Sequence, residues 1–232
     1  KLIFVNIQRE ALSVELPPIL EELGILYHPI KSGESARFKI SDFAKGPRLI
    51  KRLCKAHNIA RIIARGTPAG ALAYLVWKRT GIPFFVESFE PHADYMLESK
   101  VWTRFDLRFI LQHYSEQKQK KHATGLLPVT VNYQRRLHEE LVEPERIKVV
   151  PCVVFENQFS FNKEERLKVR KELRIDQDKI VGLYAGKYDG LYLATESFQL
   201  YKIIFDQLPD FILIILSSTE YHSWIKRQIR EY

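Results

Sequence analysis

A glycine followed by a lysine, Gly186-Lys187, closes an apolar run in the stretch IVGLYAGKYDG at 180–190. A glycine there lets backbone amides approach a ligand closely, and the lysine adds a point charge suited to a diphosphate. The amphipathic pattern near 194–208 would aim its helix dipole at the same place. Thr195 and Glu196 near its start fit helix capping. The spacing is neither GxxxxGK[ST] nor GxGxxG, so a plain strand-to-helix turn with a surface lysine is the competing reading. A second group follows Val86: Glu87, Glu90, His92 and Asp94 fall within eight positions. His92 could move a proton or bond a hydroxyl, and Glu87 could accept a hydroxyl's hydrogen bond. Solvated loop residues are the alternative, and no zinc-ligand spacing is present. Arg65-Gly66 is the third candidate, able to hold phosphate or substrate beside a helix start. A capped turn explains it equally well, with Thr67 as N-cap and Pro68 as first helical residue. Cys152 has no histidine partner suggested by the sequence, and Ser88 lacks a GxSxG elbow. Cysteine-nucleophile and α/β-hydrolase chemistry are set aside on those grounds.

These residues need elements to hold them, and the hydrophobic patterning supplies alternating strands and helices. Strands are predicted at 2–7, 25–30, 59–64, 82–86, 126–131, 147–151, 180–185 and 211–216. Helices are predicted at 15–23, 43–57, 69–79, 101–123, 133–141, 163–173 and 194–208, with polar loops at 31–35 and 87–98. Strands that alternate with helices imply parallel sheets covered on both faces, an α/β fold. Ligands of such sheets bind beyond the carboxyl ends of the strands, where all three candidate groups fall.

Composition narrows the class. The chain has 232 residues, 46% hydrophobic and 28% charged, which excludes disorder of the whole chain. No apolar run approaches the roughly 20 residues that span a bilayer. Two cysteines, Cys54 and Cys152, make no disulfide framework, so a reducing, cytoplasmic compartment is expected. Lys1 is not a natural start, which leaves a removed leader open. The net charge of +8 serves solubility or attraction to an anion: a sugar nucleotide, a lipid phosphate, an acidic membrane face or nucleic acid. The densest basic patch is Lys118, Lys120, Lys121 and His122, beside Trp102, Phe105, Phe109 and Tyr114. It reads as a solvated helix face or as a contact with an anionic membrane. No nucleic-acid-binding signature accompanies it, so no nucleic-acid partner is expected. The region 176–232 offers two strands and about two helices, short of an ordinary domain. The expected organisation is a first domain at 1–155, a crossover at 156–175, and a second domain from 176 that is cut short at 232.

The ordered segments IARGTPAGALAYLVWKRTGIPFFVES, IKVVPCVVFENQF, EERLKVRKEL and VGLYAGKYDG resemble the GT-B glycosyltransferases, specifically the large retaining group called family 4. The resemblance implies two facing Rossmann-like domains, with an acceptor on the first and a nucleotide sugar on the second. It puts Gly186 and Lys187 at the donor diphosphate, where positive charge would stabilise the leaving group. It implies a catalytic position near the transferred sugar for His92 and Glu87, and an acceptor-side or cleft-lining position for Arg65, Gly66 and Glu90. It further implies transfer with retention, no metal, no cofactor beyond the donor, and a glycan or lipid-linked acceptor. The implied location is the cytoplasm, with the inner membrane face as an open expectation. Cys152 and Val154 depart from the usual crossover, where Asn or Ser, and Asp, are common. The basic residue is a lysine directly after the glycine rather than a later arginine. The first glycine-rich turn of the acceptor domain is not visible. The family's Glu-x7-Glu element would lie beyond Tyr232, so this stretch by itself is expected to be inactive. A UDP-sugar epimerase of the same fold, and a non-enzymatic doubly wound interaction module, are the alternatives.

Overall fold

The structure, a computed structural model, describes residues 2–8, 18–31, 36–88, 90–188 and 192–232. The chain divides into two compact units, Lys1–Cys152 and Val153–Tyr232. The first runs β1 (Ile3–Gln8), α1 (Pro18–Glu22), β2 (Leu26–Lys31), α2 (Ala36–Ala56), β3 (Ile62–Arg65), α3 (Thr67–Thr80), β4 (Phe84–Ser88), α4 (His92–Glu98), α5 (Leu107–His122), β5 (Gly125–Pro128) and α6 (Val131–Glu139). β1 and β2 pair in parallel, and β3, β4 and β5 form a parallel sheet in that order. Each neighbouring pair is joined through a helix, as parallel strands require. The α/β class with parallel pairing, expected from the alternation of patterns, is what is found.

The period-2 geometry of a strand puts alternate residues on one face. Ala64, Val86 and Leu126 stand opposite one another across β3, β4 and β5, and all three are buried. With Phe84, Ala73, Leu137 and Val142 they form the core of the first unit. α3 lies against both β3 and β4, burying Ala71, Ala73 and Val76. Gly81 ends it, returning its N–H to the carbonyl of Trp77 at 2.8 Å. α6 starts on Thr130, whose hydroxyl accepts from the N–H of Tyr133 at 3.1 Å. It ends in a two-bond cap: Leu141 N–H reaches the His138 carbonyl (2.9 Å) and Val142 N–H the Leu137 carbonyl (3.0 Å). The cap seats Val142 in the same core cluster as Leu137.

The second unit holds α7 (Glu156–Phe159), α8 (Lys163–Glu172), β6 (Ile180–Ala185), α9 (Ala194–Gln207), β7 (Phe211–Leu216) and α10 (His222–Glu231). β6 and β7 pair in parallel over their full length. Tyr188, Phe198 and Ile225 are buried together, ringed by Tyr184, Tyr201, Tyr221 and Trp224.

Several local expectations change. The polar loop predicted at 87–98 contains α4. Its N-cap, Pro91, offers no side-chain bond; instead the N–H of Ala93 donates to Glu116 Oε1 of α5 at 3.1 Å. That partner lies 23 residues away, so local sequence cannot announce the helix. α5 begins at Leu107 rather than near 101, because Asp106 caps it by accepting from the N–H of Arg108 at 2.8 Å. The strand predicted at 147–151 shrinks to one bridge, Leu126 to Ile147. α2 begins at Ala36, before the predicted 43. The start of the helix expected from 15 and the loop at 32–35 fall outside the described residues.

Glu116 is 5% exposed and also accepts from Gln112 Nε2 at 3.0 Å. Burial pushes its carboxyl pKa up, and the two hydrogen bonds and nearby Lys120 offset only part of that. A raised native pKa means folding favours the protonated acid. That contribution is full below the ordinary value of about 4.5 and is lost as pH rises through the native value. Glu116→Gln is therefore expected to gain in Tm relative to the wild type as pH is raised from about 4 to about 8; a difference independent of pH would contradict this. Leu137, 1% exposed, is expected to cost about 2–5 kcal/mol as Leu137→Ala in urea denaturation. Leu141 sits at φ +61, so Leu141→Gly is expected to raise stability by about 1 kcal/mol in the same assay.

Candidate functional site

Parallel pairing brings the ends of β3 and β4 side by side, with Arg65 opposite Glu87. Arg65 Nε lies 3.5 Å from Glu87 Oε1, and the N–H of Gly66 donates to the Glu87 carbonyl at 2.8 Å. Gly66 is at φ +81 and is itself the N-cap of α3. A side chain would be strained at that φ, which accounts for the glycine. Thr67, expected as the cap, is instead the first helical residue. It is buried, and its carbonyl accepts from Gln119 Nε2 at 3.1 Å.

The next two residues of interest form a second pair. His92 Nδ1 is 3.2 Å from Glu90 Oε1, and the ring meets Trp102 edge-on at 5.6 Å. A proton held on Nδ1 by the carboxylate leaves Nε2 to accept one. The hydroxyl of Ser88 donates to the Glu90 carbonyl at 3.1 Å, tying this loop to the end of β4. Tyr133 bonds Ser88 from the interior; burial pushes its phenol well above the usual range. Thr67, Ser88, Glu116, Gln119 and Tyr133 line a small cavity of about 20 Å³, room for a single water. It is a support beneath the strand ends rather than a space for a substrate.

Asp94, read from sequence with this loop, turns inward. It pairs with Arg136 and lies 3.6 Å from His113. Arg136 also reaches Glu140 at 3.2 Å, and Glu140 pairs with Lys120. Burial alone would raise the Glu140 carboxyl, but Lys120 and Arg136 hold it below the usual carboxylate range. This chain of charges fastens α4, α5 and α6 together. It also breaks up the basic patch expected on α5. Lys120 is only 8% exposed, and His122 stacks on Trp77 (4.8 Å) and Tyr74 (5.6 Å). Burial, with Lys121 and Lys118 nearby, pushes the His122 pKa down. The helical period divides the four residues between two faces, leaving Lys118 and Lys121 outward. Glu116 and Tyr133 went unread in the sequence. The signal for Glu116 was the i, i+4, i+7 row of Gln112, Glu116 and Gln119, which is the inward face.

In the second unit Gly186 and Lys187 follow β6. The N–H of Gly186 donates to the Leu216 carbonyl at 3.0 Å, continuing the pairing with β7. A Cβ on Gly186 would stand 3.0 Å from the Tyr184 hydroxyl, so the glycine makes room for that ring. Tyr184 Oη donates to the Lys187 carbonyl at 2.5 Å and its ring stacks on Tyr188 at 4.6 Å. The backbone at 187 is thus pinned while the lysine side chain is exposed. Among the described residues no carboxylate pairs with Lys187. Thr195 and Glu196 do not cap α9; its N-cap is Leu193, with no side-chain bond. Asp189 and Gly190 fall outside the described residues. Among the described residues no group of three or more His, Cys, Asp or Glu could hold a metal ion, and no helix is long and apolar enough to cross a membrane.

No protein-family model matches the chain, and no curated protein matches it in sequence. Solved structures do match in fold. HepE of Anabaena in complex with UDP and glucose aligns at a TM-score of 0.65 and 13% identity, over 100% of this chain and 65% of its own. Sucrose-phosphate synthase of Thermosynechococcus elongatus aligns at 0.65 and 12%, over 100% of this chain and 67% of its own. A putative UDP-N-acetylglucosamine 2-epimerase of Listeria monocytogenes aligns at 0.59 and 12%, over 98% of this chain and 57% of its own. The chain therefore spans about two thirds or less of the length of these proteins. At such identities the likeness concerns the fold, and the fold of this chain is that of the GT-B glycosyltransferases.

Proposed function

We propose that this chain is part of a glycosyltransferase that moves a sugar from a nucleotide-diphosphate donor to a glycan or lipid-linked acceptor, with retention at the anomeric carbon. The observation that carries the reading is likeness along the whole chain to structures solved with UDP, UDP-glucose, or UDP and glucose. Lys187 suits the donor diphosphate: it is an exposed cation at the carboxyl end of β6, following Gly186. Positive charge fixed there before reaction stabilises the departing nucleoside diphosphate. Glu87 near the end of β4 and His92 just beyond it take the sugar-side role. Each has a partner that orients it, Arg65 for Glu87 and Glu90 for His92. Arg65, Gly66 and Glu90 take the acceptor-side positions.

A second reading is an epimerase acting on a UDP-sugar. It is favoured by the likeness to the Listeria protein and to a UDP-GlcNAc 2-epimerase from Neisseria meningitidis bound to UDP-GlcNAc. Product analysis separates the two. A transferase yields free nucleoside diphosphate and a glycoside, whereas an epimerase yields the 2-epimer with no acceptor.

Calorimetric titration of the full-length protein of which this chain is part with UDP, GDP and ADP and their sugars tests the donor site. One nucleoside diphosphate is expected to bind, and Lys187→Ala to weaken it about tenfold, the range for losing one charge-assisted hydrogen bond. Indifference to all three would sink the proposal. Undiminished binding by Lys187→Ala would remove that residue from the site.

A further inference from the structure

α5 carries its polarity the opposite way round from an ordinary surface helix. Its inward face holds Gln112, Glu116, Gln119 and Lys120, all joined by hydrogen bonds or ion pairs to the interior. Its outward face over the first two turns is Leu107, Ile110, Leu111 and Tyr114, all exposed. That spacing of i, i+3, i+4 and i+7 is the stripe that a surface helix normally buries. Phe105, just before the helix, is 92% exposed. A contiguous exposed apolar patch marks an interaction surface.

The stripe runs on into charge. Lys118 and Lys121 lie one and two turns beyond Tyr114 on the same face, and Lys118 sits over the Tyr114 ring at 5.1 Å. Among the described residues no carboxylate pairs with either lysine. The two carboxylates beside them are engaged elsewhere, Glu140 with Lys120 and Arg136, and Glu143 with Arg146. Tyr114, Lys118 and Lys121 line one groove with Leu141. Leu141 is 90% exposed and sits at φ +61, at the helix-end position where glycine is usual. The cap that ends α6 accounts for the backbone conformation at 141, but not for an apolar side chain held there in solvent beside this groove.

We propose that this face docks on an anionic lipid surface. α5 lies in the plane of the interface, with Leu107, Ile110, Leu111 and Leu141 entering the acyl boundary and Lys118 and Lys121 at the headgroup phosphates. An apolar stripe edged by cations and aromatic rings is what such a surface selects. Arg104 supplies a cation at the other end of the stripe; Arg108 there is already paired with Asp106. A second copy of this chain is a poor occupant. It would bring another net charge of +8 and the same unpaired lysines against these. The proposal does not rest on the nucleotide-sugar reading, since the docking needs no donor.

Co-sedimentation of the 232-residue chain with vesicles tests it, without nucleotide. Phosphatidylcholine vesicles with about one third phosphatidylglycerol are expected to bind at least tenfold better than pure phosphatidylcholine. Raising ionic strength from about 0.1 M to about 1 M is expected to remove most of that preference. Leu107→Ser with Leu111→Ser, and separately Lys118→Glu with Lys121→Glu, are each expected to lose about tenfold or more, with Tm unchanged because none of the four side chains is buried. Leu141→Gly relieves its backbone strain, so its expected severalfold loss of binding cannot be ascribed to unfolding. Equal binding to both vesicle types, or any of the variants binding as the wild type does, would overturn the proposal. So would a concentration-dependent dimer abolished by the leucine pair.

Discussion

Parallel pairing is the constraint from which the site arrangement follows. Strands that run the same way must be joined by crossovers, so β3, β4 and β5 all end at one edge of their sheet. Each helix that follows starts at that edge. Arg65 and Glu87 meet there because they stand opposite each other in register, and Gly66 turns the chain into α3 at the same level. Ser88, Glu90 and His92 extend the edge into α4. No special loop had to evolve to gather these residues; the sheet gathers them.

The support beneath that edge is polar, and it comes from α5. Glu116 holds the start of α4, Gln119 holds the start of α3, and Lys120 reaches the end of α6 through Glu140. One helix thus fixes the starts of the two helices that follow β3 and β4. Because its inward face is used for those bonds, its apolar residues point outward. Interior positioning and outward stickiness are two consequences of one helix orientation.

The second unit holds its lysine differently. There the support is aromatic: Tyr184, Tyr188, Tyr201, Phe198 and Trp224 pack ring against ring, and Tyr184 anchors the backbone of Lys187 by one hydrogen bond. A pinned backbone with an exposed side chain leaves the charge in place but adaptable. In the first unit, by contrast, the candidate side chains are paired with one another, Arg65 with Glu87 and His92 with Glu90.

The sequence by itself determined the alternation of strand and helix, hence the parallel sheets, and with them the positions of Arg65, Glu87 and Lys187 at strand ends. Those features depend on period-2 and period-3.6 patterns within a few residues, and on φ constraints such as that of Gly66, so they can be read locally. Tertiary structure alone decided that 92–98 forms a helix, that Glu116 is a buried cap, and that Lys120 and Asp94 serve ion pairs. Each of those rests on a partner 20 to 42 residues away. Polar residues on α5 read as a solvated surface because side-chain chemistry does not encode which face a helix turns inward. Only the packing of α3, α4 and α6 around it settles that.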